Sequence, residues 1–258
     1  LEGTISGGSN GIYLSYSDAG SIVNSGSITG RDGAVLISRS TVGSITNEVG
    51  GTISGTGQTG LRIQNNSLIS GDIVNHGTIS GGQTGLYISN SSSVAGDITN
   101  SGTIQGIGGT SSGSAYGYGI YVNGGNAGSI ENSGTISGGA YAISLYSIST
   151  LPNINITGDN TAHFLGDVFA QNTDVAVKSG AVFTNDNAFD VNRFTVEDTA
   201  TFNMGAGTNT SGMTDGITVA NGLTNAGTLA IAAGTTATIS GDYAQTSTGA
   251  FRTNVTDD

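Results

Sequence analysis

The chain has 258 residues, 45 of them Gly, one Pro, no Cys and no Trp, and 18 acidic against six basic side chains give a net charge of −12. Six cations are too few for the basic footprint of a nucleic-acid binder, and no apolar run approaches the roughly 18 residues of a membrane span. Without Cys there is no disulfide framework, no thiolate metal site and no Cys nucleophile. The chain opens on Leu1 rather than Met and reads as a piece of something longer. Disordered chains are rich in charge and Pro, and this one is poor in both.

From the start of the chain, one unit recurs. Gly3-Thr-Ile5-Ser-Gly7 is followed by Ile22-Val-Asn-Ser-Gly-Ser-Ile28, Ile45-Thr-Asn-Glu-Val-Gly-Gly-Thr-Ile53, Ile73-Val-Asn-His-Gly-Thr-Ile79, Ile98-Thr-Asn-Ser-Gly-Thr-Ile104 and Ile130-Glu-Asn-Ser-Gly-Thr-Ile136. The second Ile stands at 5, 28, 53, 79, 104 and 136, a period of 23 to 32 residues. After each unit comes a third segment: Gly11-Ile-Tyr-Leu14, Gly33-Ala-Val-Leu36, Gly60-Leu-Arg-Ile63, Gly85-Leu-Tyr-Ile88, Gly119-Ile-Tyr-Val122 and Ala142-Ile-Ser-Leu145. The segments alternate apolar and polar with period 2 and none shows a helical period. Three short strands per unit cannot form a core alone. Stacked ~4.8 Å apart, each pairs with its counterpart in the next unit. The expected fold is all-β: a right-handed parallel β-helix with three strands per coil.

Its interior fills with columns. Ile22, Ile45, Ile73, Ile98 and Ile130 form one, and Ile5, Ile28, Ile53, Ile79, Ile104 and Ile136 another. Ile12, Ala34, Leu61, Leu86, Ile120 and Ile143 form a third, beside Leu14, Leu36, Ile63, Ile88, Val122 and Leu145. Asn24, Asn47, Asn75, Asn100 and Asn132 recur two residues after an inward Ile. They read as a buried amide ladder, with glycan attachment or a polar binding stripe as the alternatives.

Composition changes near residue 150. Eight of the nine Tyr precede it, all seven Phe follow it, and the lone Pro152 marks the join. Residues 1–158 read as regular coils and residues 159–258 as irregular, Phe-rich coils with a cap. Candidate strands there are Asp174–Val177, Ala181–Thr184, Arg193–Val196, Ala200–Asn203, Gly216–Val219 and Thr228–Ile231.

The Ile-Thr-Asn-Ser-Gly-Thr-Ile units resemble the passengers of Gram-negative autotransporters. Leu223-Thr-Asn-Ala-Gly-Thr-Leu229, Gly241-Asp-Tyr243-Ala-Gln245 and Gly249-Ala-Phe251 resemble the autochaperone segment that closes such passengers. The resemblance implies a surface-displayed passenger fragment in adhesion or cell–cell self-association, outside a Gram-negative cell. Its C-terminal segment would template folding during secretion. The partner would be a host or bacterial surface receptor, or a second copy, and membrane contact would come only through a C-terminal β-barrel that this chain lacks. An upstream catalytic domain would make the chain a stalk. A glycan- or ice-binding solenoid is the third reading, the latter suggested by the Thr/Ser face at Thr52/Ser54, Thr78/Ser80 and Thr135/Ser137.

No cofactor motif and no enzyme signature emerges. His76 takes the place that Ser25, Ser101 and Ser133 hold in sister units, and His163 stands near the join. There is no nucleophile elbow, and Asp72 and Asp97 stack as surface carboxylates. The segments from Gly11 onward point Tyr13, Val35, Arg62, Tyr87, Tyr121 and Ser144 outward, next to Ser15, Ile37, Gln64, Ser89, Asn123 and Tyr146. The longest unit carries a bulge with Tyr116 and Tyr118. Tyr13, Arg62, Tyr87, Tyr116, Tyr118, Tyr121 and Tyr146 are therefore the candidate binding face. Stacking that only stiffens the coil is the competing reading.

Overall fold

A four-residue strand such as Thr4–Gly7 has no stability of its own. In the computed structural model it gains neighbours by stacking. The described residues, 2–108, 117–208, 210–232 and 234–253, form a parallel β-solenoid of about ten turns without helix. Ile5 lies on Ile28, then Ile53, Ile79, Ile104, Ile136 and Phe164. A second column runs from Ile22 through Ile45, Ile73, Ile98 and Ile130 to Ile154, Val175, Phe194, Leu223 and Tyr243. Burial of each such side chain stabilises by about 1.5–3 kcal/mol. Since every coil buries its own share, stability accumulates along the stack.

The third column departs from expectation in one coil. Ile12 pairs with Val35, and Leu14 with Ile37. Val35 and Ile37 are fully buried, although the sequence pattern pointed them outward, and the outward residue is Leu36. Ala34 takes the corner place that Gly11 and Gly60 hold, so aligning on Gly33 slips this coil by one residue. The slip moves every side chain to the opposite face.

A fourth column was not singled out from sequence. Two-residue strands Leu68–Ile69 and Ser93–Val94 stack Ile69 on Val94, beneath Ala19 and Val42. Ala127 and Leu151 continue the buried set, next to the bridges at Asn126 and Thr150. The corner before it is held by serine. Ser40 Oγ accepts from Ser17 N (3.0 Å), Ser67 Oγ from Ser40 N (3.3 Å) and Ser92 Oγ from Ser67 N (3.0 Å). These contacts fix Tyr16, Arg39, Asn65, Asn66, Asn90 and Ser91 at positive φ, 50–60°, a conformation that non-glycine residues adopt at a cost.

The five asparagines are fully buried. Asn24 Nδ2 donates to Asn47 Oδ1 (2.8 Å), Asn47 to Asn75 (2.9 Å), Asn75 to Asn100 (2.8 Å) and Asn100 to Asn132 (2.8 Å). Each of these amides also donates to corner carbonyls, as Asn75 does to Gly77 O (3.2 Å) and Thr103 O (3.0 Å). Asn24 Oδ1, at the leading end, is buried without a partner. Past Asn132 the same column turns apolar, through Ile156, Val177 and Val196, and returns to amide at Asn225 and Gln245.

That stretch coincides with a new core. Phe164, Phe183, Phe189, Phe194 and Phe202 interlock, with Phe183 on Phe202 at 5.5 Å and Phe164 edge-on to Phe183 at 5.8 Å. Two of the seven Phe stay out. Phe169 pairs with outward Ser144 and Asp190, and Phe251 in the last coil is 48% exposed. Strands Val182–Asn187, Thr201–Thr208, Thr228–Ile231 and Ala250–Thr253 form a separate four-stranded sheet. Buried Asp167 ties the seam. Its carboxylate accepts from Ala188 N (3.2 Å), Thr210 N (2.8 Å), Ser211 N (2.9 Å) and Ser211 Oγ (2.6 Å).

The closing motif is the repeat in altered form. Tyr243, Gln245 and Phe251 sit under Leu223, Asn225 and Leu229. Gly241 has φ +127°, and a Cβ there would stand 2.3 Å from Val219 O. A Cβ on Gly249 would stand 2.3 Å from Asn225 O. Gln245 Nε2 donates to Gly249 O (2.8 Å), as the ladder asparagines do to their corner carbonyls, and Tyr243 Oη donates to Gln245 Oε1 (2.8 Å).

Two outcomes follow from this architecture. Asn75→Ala breaks the ladder on both sides, taking the Oδ1 acceptor from Asn47 Nδ2 and the amide donor from Asn100 Oδ1, and should cost about 2–4 kcal/mol. Asn24→Ala breaks the ladder on one side only, taking the donor from Asn47 Oδ1 while the lost Oδ1 had no donor, and should cost less. Urea midpoints of the two variants check the order, and equal losses would refute a chain of amides as the source. Second, the interlocked Phe core should outlast the Ile coils. Limited proteolysis in moderate urea should leave a fragment of about 100 residues from 159–258, and survival of the N-terminal half instead would overturn that order.

Candidate functional site

The face following each corner carries the outward side chains. In register, Leu36 lies on Arg62, Arg62 on Tyr87, Tyr87 on Tyr121 and Tyr121 on Ser144. In-register stacking spaces like groups at about the coil rise, which suits parallel rings. Tyr87 and Tyr121 stack with centroids 5.2 Å apart and planes 5° from parallel. The chain turns at Gly119, so Tyr118, three residues before Tyr121, lies on the same side and stacks on it at 4.5 Å. Tyr118 stacks in turn on Tyr141 at 5.6 Å. The guanidinium carbon of Arg62 stands 5.3 Å from the Tyr87 ring centroid and closes the other end. Each ring pair contributes about 0.5–1.5 kcal/mol beyond its buried area. The stack therefore shows ring edges and hydroxyls outward, while the ring faces look along the axis.

The structure thus brings together Arg62, Tyr87, Tyr118 and Tyr121 and adds Tyr141, which the sequence pattern passed over. Tyr13 is exposed but separated from Arg62 by Leu36. Tyr146 is exposed two positions along the strand from Ser144, paired with Asn123. Tyr116 lies outside the described residues. Signals for the missed members were present: Thr59, Thr84, Tyr118 and Tyr141 all stand three residues before a face residue, across the corner.

Arg62 borders an open recess of about 270 Å³, closed by Gln58, Gln83, Thr59 and Thr84. Its Nε is shielded from solvent and has no hydrogen-bond acceptor among the described residues. A buried donor left unmade costs about 1–3 kcal/mol. Among the described residues the ion pairs are Arg31 with Asp32, Lys178 with Glu197 and Arg193 with Asp174. Arg62 is in none of them. The carboxylate of Asp32, one coil before the recess, is turned to Ser9 Oγ (2.7 Å) and Arg31.

Elsewhere, His76 Nδ1 meets Ser101 Oγ at 2.6 Å, both exposed. The amides of Ser101 and Gly102 both donate to Asn75 O, so they offer no pair of donors for an oxyanion. Asp72 and Asp97 accept from the next coil, at Asp97 N (2.9 Å) and Ser129 N (3.1 Å). Among the described residues no three His, Asp or Glu gather as metal ligands, and no helix is long and apolar enough to cross a membrane. No family model, curated protein or solved structure matches the chain.

Burial, helped by the phenols of Tyr118, Tyr87 and Tyr146, pushes Tyr121 up to about 12 from an ordinary 10.0. Between those values the unfolded chain releases this proton and the folded chain holds it, so stability falls as pH rises from 10 towards 12. Absorbance titration of the phenolates should show one late component that Tyr121→Phe removes. A titration unchanged by that substitution would show that Tyr121 is not the shielded phenol.

Proposed function

We propose that the chain is part of a surface-displayed passenger of the autotransporter type, working in adhesion or cell–cell self-association. The observation that carries this reading is the cross-coil column of Arg62, Tyr87, Tyr121, Tyr118 and Tyr141. It sets aromatic edges and hydroxyls, already ordered by stacking, on a surface rich in Ser, Thr and Gly. Ordered Tyr contributes contact area at low entropy cost, and repetition along an axis adds weak contacts by multivalency. The partner is a surface receptor or a second copy, outside a Gram-negative cell. The closing motif supports the templating role: Tyr243, Gln245 and Phe251 continue the columns, so a formed end offers the next coil a matching edge.

Cells displaying the chain with Tyr87, Tyr116, Tyr118 and Tyr121 replaced by Ser should lose aggregation or adhesion while the purified variant keeps its β spectrum. Between wild-type copies, self-association should strengthen with salt, because a net charge of −12 opposes contact until screened. Normal adhesion by the variant would move the role to the Thr/Ser face.

A further inference from the structure

We infer that the recess beside Arg62 is a binding site for a carboxylate-bearing saccharide, such as a uronic-acid oligomer. The inference rests on the adhesion reading and names the ligand class of that face.

Three features point to an anion. Arg62 is a cation on a chain with net charge −12, and none of the three ion pairs among the described residues includes it. Its Nε lacks an acceptor among the described residues although it is shielded from water. Asp32, whose carbonyl accepts from Thr59 N of the lining, has its carboxylate engaged by Ser9 and Arg31. The Arg62 guanidinium, its carbon 5.3 Å from the Tyr87 ring centroid, carries its donors in one plane, and a planar carboxylate matches a planar fork.

The remaining lining fits a polyol. Gln58 and Gln83 bring side-chain amides, and Thr59 and Thr84 bring hydroxyls, groups that donate and accept towards sugar hydroxyls. The rings stack on one another along the axis, so Tyr87, Tyr118 and Tyr121 offer edges and hydroxyls rather than open faces. Sugar recognition here is therefore polar and charge-anchored. The recess opens across consecutive coils, which suits a chain of residues lying along the solenoid axis.

The test uses the purified 258-residue chain and three probes: a polyuronate oligosaccharide, its carboxyl-reduced neutral counterpart and a sulfated oligosaccharide of similar length. Calorimetry should show binding of the uronate, and carboxyl reduction should weaken it about tenfold or more. Arg62→Gln should weaken it by a similar factor, and Arg62→Lys, which keeps charge but not the fork, should fall between. A thermal melt of both variants confirms the fold. Absence of uronate binding up to about 10 mM would overturn the inference. Equal binding of the reduced oligosaccharide, or by Arg62→Gln, would do the same, and tighter binding of the sulfated probe would overturn the choice of carboxylate. Failure of the adhesion reading is separable. Cells that never adhere leave binding by the purified chain intact, whereas cells that adhere normally while the purified chain ignores uronate sink this inference alone.

Discussion

In the repeating coils most strand residues lie on the residue at the same place in the next coil. Parallel in-register stacking repeats each side chain at about the strand spacing, so only groups that tolerate themselves can occupy a column. Aliphatic side chains do, and Ile fills two columns. A primary amide does, because it donates along the axis and accepts from behind, as Asn24 to Asn132 show. Phenol rings do, as Tyr87 and Tyr121 show. Charges do not, since like would lie on like. The scarcity of charge, 9% of residues, is then a consequence of the fold. Where acids do recur, each has its own donor: Asp72 takes Asp97 N and Asp97 takes Ser129 N.

Legibility in the sequence followed the length of each segment. The two Ile columns and the amide position could be read from repetition alone, and the expected all-β solenoid is the fold that forms. The coil from Gly33 misled because Ala34 replaces the corner glycine and the apolar run Ala-Val-Leu-Ile offers two alternations. The Val42, Ile69, Val94 column escaped because a two-residue strand has no period to detect. The serine corner was hidden among many serines whose spacing differs little from chance. Of the candidate face, the rings were legible, but the turn at Gly119 that carries Tyr118 onto Tyr121 depends on tertiary geometry, as does the isolation of Arg62 from carboxylates.

The Phe-rich coils solve the same packing problem differently. In the first half a narrow core leaves room for a buried amide column, whose hydrogen bonds fix register. Where Ile156, Val177 and Val196 replace that column, interlocked rings from several coils fix it instead. Asp167 spans the change by binding segments 44 residues apart. Register is specified throughout, by polar direction in one half and by ring shape in the other.

The exchangeability of coils bears on how such a chain changes length over generations. Excision of residues 73–97 would join Asp72 to Ile98, repeating the Asp97–Ile98 junction already present, and would set Asn47 against Asn100. In the main columns the surviving residues would keep their kind of neighbour, with Ile104 on Ile53 and Tyr121 on Arg62. Recombination between misaligned copies of one unit therefore removes or adds a whole turn in frame and keeps the main columns continuous over a shorter or longer stack. Point substitutions in the columns disturb two interfaces, whereas loss or gain of an entire coil leaves the Ile and Asn columns matched. For this architecture, the larger genetic change is the gentler one.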